Sequence, residues 1–159
     1  MTTLPSIPVM RRAFARNPRY AELYNTAAEF SARHRLYDQA VDFAQQAVAL
    51  DSTSSRAHGL LGMNQLRTGA IDSGRVSLEG AFKTDPDDIW VKNTHDLLDT
   101  FGEYQTVSTP RFQLFMVRRE ADVMALYLGE LLEQAYDRFA TTYNYRPSTP
   151  IRAVMYRRH

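Results

Sequence analysis

One spacing constrains this chain more than any other. Ala13, Ala47 and Ala81 recur every 34 residues, and the same step relates Phe14, Val48 and Phe82, then Asn17, Asp51 and Asp85, then Pro18, Ser52 and Pro86. Asp38 with Asp72 and Ala40 with Gly74 keep the same interval. A fixed period of this length implies one supersecondary unit stacked on copies of itself. Small residues at fixed points imply two antiparallel helices that cross closely: Ala28 and Gly62 on the first helix, Ala40 and Gly74 on the second. Tyr24, Leu61, Phe43 and Leu78 then fill the space within and between units. "RLYDQA" and "TGAIDSG" are the turns inside a unit, with Gly69 free to adopt a positive φ. "NPRY" and "DPDD" close one unit and open the next, because proline suits a first turn and not a helix interior.

These residues resemble the tetratricopeptide family over 21–54 and 55–88. The second helix of an earlier repeat is expected at about 6–16, and "DIWVKNTHDLLDTFGEY" (88–104) is expected to be a closing helix. Two departures stand out: Ser52 replaces the proline, and Asp96 falls where the closing helix would carry a small residue. About three repeats are usually needed for stability. Trp90, Leu97, Leu98 and Phe101 are therefore expected to cover the last repeat, with Trp90 as a core side chain.

Beyond "STP" at 108–110 the periodicity changes. "FQLFMV" (112–117) reads as a buried strand, and "RREADVMALYLGELLEQAYDRFATTYNY" (118–145) as one helix of roughly seven turns. Its apolar stripe is Val123, Tyr127, Leu131, Ala135 and Phe139, flanked by Leu128, Leu132 and Tyr136. "PIRAVMY" (150–156) reads as a second strand. Strand, helix and strand form a crossover unit with parallel strands, and parallel sheets are normally covered on both faces. The expected fold is thus mainly α: a tetratricopeptide αα-hairpin solenoid over 1–104, then a partial β-α-β unit over 105–159. One face and the edges of that small sheet are expected to lack cover, which predicts self-association through the C-terminal strands.

The same C-terminal run resembles the start of a peptidase MA-like domain, as found in bacterial zinc metallopeptidases of the gluzincin type. Thr109, Phe112, Leu114, Glu120, Ala121, Leu131, Leu132, Ala135, Tyr136, Pro150, Ile151, Val154 and Tyr156 carry the resemblance. It implies a strand, a helix and a strand ahead of a catalytic helix, with zinc and hydrolysis belonging to a part downstream of His159. Such enzymes place two histidines at i and i+4 on a helix, with a glutamate between them as general base. His34, His58, His95 and His159 begin no such motif. No catalytic residue, metal ligand or cofactor is therefore assigned within this chain.

Other chemistry finds little support. The absence of cysteine removes thiolate catalysis and thiolate metal sites. There is no glycine-rich phosphate loop, and Glu130 with Glu133 is an ordinary pair of helix carboxylates. The arginine pairs at 11–12, 118–119 and 157–158 are scattered, and the net charge is +1, so no nucleic-acid surface is expected. No apolar run is long enough to cross a membrane, and "MTTLPSIPVMRRAF" lacks the apolar core of a signal peptide, which predicts a cytoplasmic protein.

The surviving surface is the groove formed by the first helix of each repeat, which takes peptides or partner helices. Its candidates are Glu22, Asn25, Glu29 and Arg33 in one repeat, and Arg56, Met63, Leu66 and Arg67 in the next. Tetratricopeptide proteins that capture a C-terminal carboxylate use lysine, asparagine and arginine at fixed positions. Asn25, Glu29, Leu60, Trp90 and Thr94 stand there instead, and none is the residue required. The expected function is protein–protein interaction without catalysis in this chain. The alternative is the N-terminal part of a zinc metallopeptidase.

Overall fold

A computed structural model of the chain describes residues 8–156. It divides after Leu98 into two compact units. The first is helical: α1 (Pro8–Arg16), α2 (Ala21–Arg33), α3 (Tyr37–Leu50), α4 (Ser55–Arg67), α5 (Ile71–Thr84) and most of α6 (Ile89–Thr100). Pairs α2/α3 and α4/α5 are the two expected repeats and α1 is the half repeat, residues 6 and 7 of which lie outside the described range.

Each hairpin is closed by the same device. Leu36 N–H donates to Ser31 O at 2.9 Å and Arg35 N–H to Ala32 O at 3.0 Å. One repeat later, Ala70 N–H donates to Gln65 O at 2.9 Å and Gly69 N–H to Leu66 O at 3.1 Å. This paired pattern ends a helix on a left-handed residue. Gly69 supplies it with φ 88°, as expected, whereas Arg35 is driven to φ 59° at the matching position. Helix starts also repeat: Ser54 Oγ accepts Ala57 N–H at 3.2 Å, and Asp88 Oδ1 accepts Trp90 N–H at 2.9 Å and Val91 N–H at 3.2 Å.

The crossings are close, as the small residues require. Ala28 and Ala40 are fully buried in the first repeat. In the second, a Cβ on Gly62 would lie 2.9 Å from Gly74 O and 2.7 Å from Leu78 Cγ. Ala28, Ala44 and Leu61 form a core with Val41, Phe43, Val48 and Leu60 against it. Phe14 of α1 stacks on Phe43 at 5.7 Å and meets Tyr24 at 4.8 Å, which ties the half repeat to the first full one.

The closing helix is shorter than expected, and Trp90 is not a core residue. Helix α6 stops at Thr100, a short 3-10 turn follows at Phe101–Glu103, and Tyr104 begins a strand. Val91 and Leu98 are the buried residues of α6, while Trp90 is 78% exposed.

The second unit holds β1 (Tyr104–Ser108), β2 (Phe112–Val117), α7 (Arg118–Tyr143) and β3 (Ile151–Val154) in sheet order β1-β2-β3. As expected, β2 and β3 are parallel, with Leu114 opposite Ala153. Strand β1 was not expected. It pairs antiparallel with β2, Val107 opposite Leu114, so β2 is central and the edges are β1 and β3. The sheet face expected to be bare is partly covered. Phe115 packs against Tyr104 at 5.0 Å and Phe101 at 4.9 Å, and the Arg152 guanidinium sits 4.8 Å from its ring centre.

Helix α7 ends at Tyr143, two residues earlier than expected, because Asn144 turns left-handed at φ 47°. It also packs on a different face. Ala121, Leu128, Leu132 and Tyr136 meet Phe112, Leu114 and Met116 of the sheet. The stripe read as buried points away: Val123, Tyr127, Leu131 and Phe139 are all more than half exposed. The sheet takes the side rich in small residues, where Ala121, Gly129 and Ala140 let helix and sheet approach. Larger side chains at those positions would hold the two layers apart.

Candidate functional site

The first helices of the repeats, α2, α4 and α6, bring four of the eight candidate groove residues together, while Leu66 packs against Gly74 of α5 instead. The Arg56 guanidinium on α4 bridges two carboxylates of α2, donating to Glu29 Oε1 at 2.7 Å and also to Glu22 Oε1. Its pKa is held above the ordinary value mainly by the hydrogen bond to Glu29, against some desolvation. Asn25 lies one turn from Glu22 and donates to Glu22 Oε2 at 3.1 Å. Asn25 is buried, and its Oδ1 has no hydrogen-bond donor among the described residues.

The remaining candidates lie elsewhere. Met63 faces α6, where its sulfur accepts the Thr94 hydroxyl at 3.5 Å. Arg67 donates to Asn64 Oδ1 at 3.1 Å and lies 5.4 Å from the centre of the Tyr37 ring. Its charge is thereby drawn to α3 and away from the Arg56 cluster. Arg33 is exposed near the end of α2.

Sequence reasoning set Trp90 among the carboxylate-capturing positions yet expected its side chain in the core, and it is exposed instead. Glu22, Arg56 and Trp90 occupy one position of three successive repeats, since each is 34 residues from the last. Trp90 is therefore the α6 counterpart of the ion pair, and Thr94, one turn on, is the residue that touches Met63. The period itself was the available signal. Extended one step past Arg56, it places the tryptophan on the same helix face as Glu22 and Arg56.

The three described histidines make separate contacts. His34 packs on Phe30 at 4.4 Å, His95 stacks on Phe82 at 5.8 Å, and His58 Nε2 lies 3.0 Å from Ser52 O, which fixes that nitrogen as the donor. Among the described residues no three of histidine, cysteine, aspartate or glutamate converge as metal ligands. His159 lies outside the described residues.

Glu130 and Glu133 do not share a cleft either. Glu133 Oε1 accepts the Thr109 hydroxyl at 2.6 Å and Arg111 N–H at 2.9 Å, and Glu133 Oε2 pairs with Arg111 Nε at 2.9 Å. Arg111 also chelates Asp137 and lies over the Tyr136 ring at 4.5 Å. That contact raises the Arg111 pKa and depresses the Asp137 pKa, the hydrogen bond being the main cause of each. The group therefore straps the β1–β2 turn to α7. Glu130 points outward and accepts from Gln134. A cavity of about 270 Å³ beside Phe112, Tyr136, Phe139, Tyr143 and Ile151 is lined by apolar groups, with no convergent acid, base or nucleophile.

No family model matches the chain, and no curated protein matches it. Among solved structures it is similar to MamA, a tetratricopeptide-repeat protein, with 19% identity and a TM-score of 0.57. The likeness takes in 62% of this chain and spans only 58% of MamA. Together with the repeats described above it establishes a tetratricopeptide-like helical fold followed by a small three-stranded sheet. No described helix is long and apolar enough to cross a membrane.

Proposed function

We propose that the chain is a protein-interaction module whose α2–α4–α6 face holds a peptide segment or partner helix. The observation that carries this reading is Trp90, exposed at the position where earlier repeats carry Arg56 and Glu22. Exposed aromatic and arginine side chains on a concave helical face are the residue types that dominate binding energy in interfaces. The Glu22–Arg56–Glu29 cluster holds two helices of that face in register and leaves the indole as its main apolar anchor. The fold shared with MamA is consistent with this reading.

Trp90 is the only tryptophan in the chain, so its emission reports on the groove alone. Peptides selected from a random library on the full chain should shift that emission on binding. Trp90→Ala should weaken them at least tenfold, the scale of a central aromatic anchor. Selected peptides that leave the emission unchanged and bind Trp90→Ala equally well would refute the groove.

The second reading, that the chain is the N-terminal part of a zinc metallopeptidase, rests on the sequence resemblance alone. Parallel strands β2 and β3 joined by α7 form a strand–helix–strand unit, an arrangement many unrelated folds share. Zinc and catalysis would then belong to an HExxH helix further along the gene. Sequencing past His159 decides it: an open frame with no such motif within about one domain length, 100–150 residues, removes this reading.

A further inference from the structure

The sheet leaves one long face of α7 unpartnered. Val123, Leu126, Tyr127 and Leu131 are between 61% and 75% exposed there. This strip is closed at each end by a pair of opposite charges, Arg119 with Glu120 at the start and Asp137 with Arg138 at the far end. Glu120 and Arg138 are eighteen residues apart, as are Arg119 and Asp137, which is about five full turns. Members of each pair thus lie on the same flank of the helix, one pair on either side of the apolar strip.

That arrangement is complementary to itself. In an antiparallel helix pair related by a two-fold axis, each flank meets the same flank of the mate. Equidistant residues on either side of the axis come together, as in any isologous contact. The midpoint of Glu120 and Arg138 is residue 129, that of Arg119 and Asp137 is 128, and that of Tyr127 and Leu131 is 129. One axis therefore brings Glu120 to Arg138, Arg119 to Asp137 and Tyr127 to Leu131 of the second copy, each twice. The Arg138 guanidinium has no partner among the described residues, and it lies beside the strip. Asp137 is held by Arg111 and approached by Arg146 at 4.0 Å, and Arg119 pairs with Glu120 at 3.2 Å, but a carboxylate has about four lone-pair sites, so each oxygen can accept a second donor.

We propose that this face of α7 is a homodimer interface, in which a second copy of the chain packs its own α7 antiparallel about residues 128–129. Two helices alone make a contact at the small end of specific interfaces, so the dimer is a reversible one of micromolar strength. The charges set the register of the antiparallel pair, because sliding one helix along the other separates Glu120 from Arg138 and Arg119 from Asp137 of the second copy.

Light scattering on the full chain from micromolar to near-millimolar concentration should follow a monomer–dimer equilibrium. Arg138→Glu should weaken it roughly tenfold, since two attractive contacts become repulsive. The double variant Glu120→Arg/Arg138→Glu should restore it, which a merely damaged fold would not do. The cysteine-free chain permits a geometric test. Glu130→Cys, close to the axis, should oxidise to a covalent dimer. Thr141→Cys, on the same strip but about 40 Å from its mate, should not, since a disulfide needs Cα atoms within about 7 Å. A chain monomeric throughout, a dimer indifferent to Arg138→Glu, or one joined instead along the β3 edge would overturn the proposal.

Discussion

Gly59 and Gly62 sit one turn apart on α4, and the same substitution should act on them with opposite sign. Replacing glycine by alanine inside a helix gains about 0.8–1 kcal/mol, because glycine loses more backbone freedom on folding. Both sites share that gain. At Gly59 the new Cβ meets Val91 Cγ2 at 3.4 Å and nothing closer, an ordinary contact. At Gly62 it would stand 2.7 Å from Leu78 Cγ and 2.9 Å from Gly74 O. Leu78 is fully buried, and the carbonyl cannot retreat unless α5 moves. Overpacking of this kind costs about 1–3 kcal/mol, and more when backbone must shift. Gly59→Ala should therefore raise stability by about 0.5–1 kcal/mol, and Gly62→Ala should lower it by roughly 1–2 kcal/mol. Urea denaturation followed by helical circular dichroism measures both. If the two variants shift the midpoint in the same direction, the close crossing of α4 and α5 is not what holds the second repeat.

Arg35 occupies the left-handed position that Gly69 fills one repeat later, and its side chain carries the steric cost of φ 59°. Arg35→Gly should stabilise the first repeat by about 0.5–1 kcal/mol, read as a higher urea midpoint; a lower midpoint would show that the arginine side chain holds the turn. Asp137 should make the second unit acid-sensitive. Its folded pKa is depressed by Arg111, so the unfolded chain binds the proton more readily. The stabilisation is present above the ordinary carboxylate value of about 3.9 and is lost as pH falls through the lower folded value. Hydrogen-exchange protection at Arg111 and Phe112, corrected for the intrinsic rate, should fall over that window in the native chain. It should be lower at all pH values, without that transition, in Asp137→Asn.

The repeats were legible because their determinants are local and periodic. Each small residue at a crossing, each left-handed turn and each helix start is specified within one 34-residue unit and then repeated. The alignment of Ala40 with Gly74, or Arg35 with Gly69, therefore carries structural meaning without any long-range information. The same period also predicted the exposure of Trp90, which was expected in the core. Trp90 belongs with Glu22 and Arg56, but a lone tryptophan in a terminal helix also reads as a buried packing residue. Its exposure depends on which side of α6 the preceding repeat covers.

The second unit divides differently. Its strands β2 and β3 and the helix between them follow from β-rich runs flanking a long amphipathic segment. Strand β1 could have been found from the alternation in "YQTV" before the turn at "STP", a hairpin signal. It was hidden because the helical pattern of α6 runs directly into it. The burial of α7 could not be found that way. The helix is apolar around most of its circumference, so hydrophobic periodicity leaves two faces equally eligible. Sequence alone determined that α7 would be a long helix beside parallel strands. The choice of face was made by the sheet, which admits Ala121, Gly129 and Ala140 at close range and excludes the bulkier Val123, Tyr127 and Leu131. Packing complementarity between layers is a property of two surfaces together, and only the folded chain contains both.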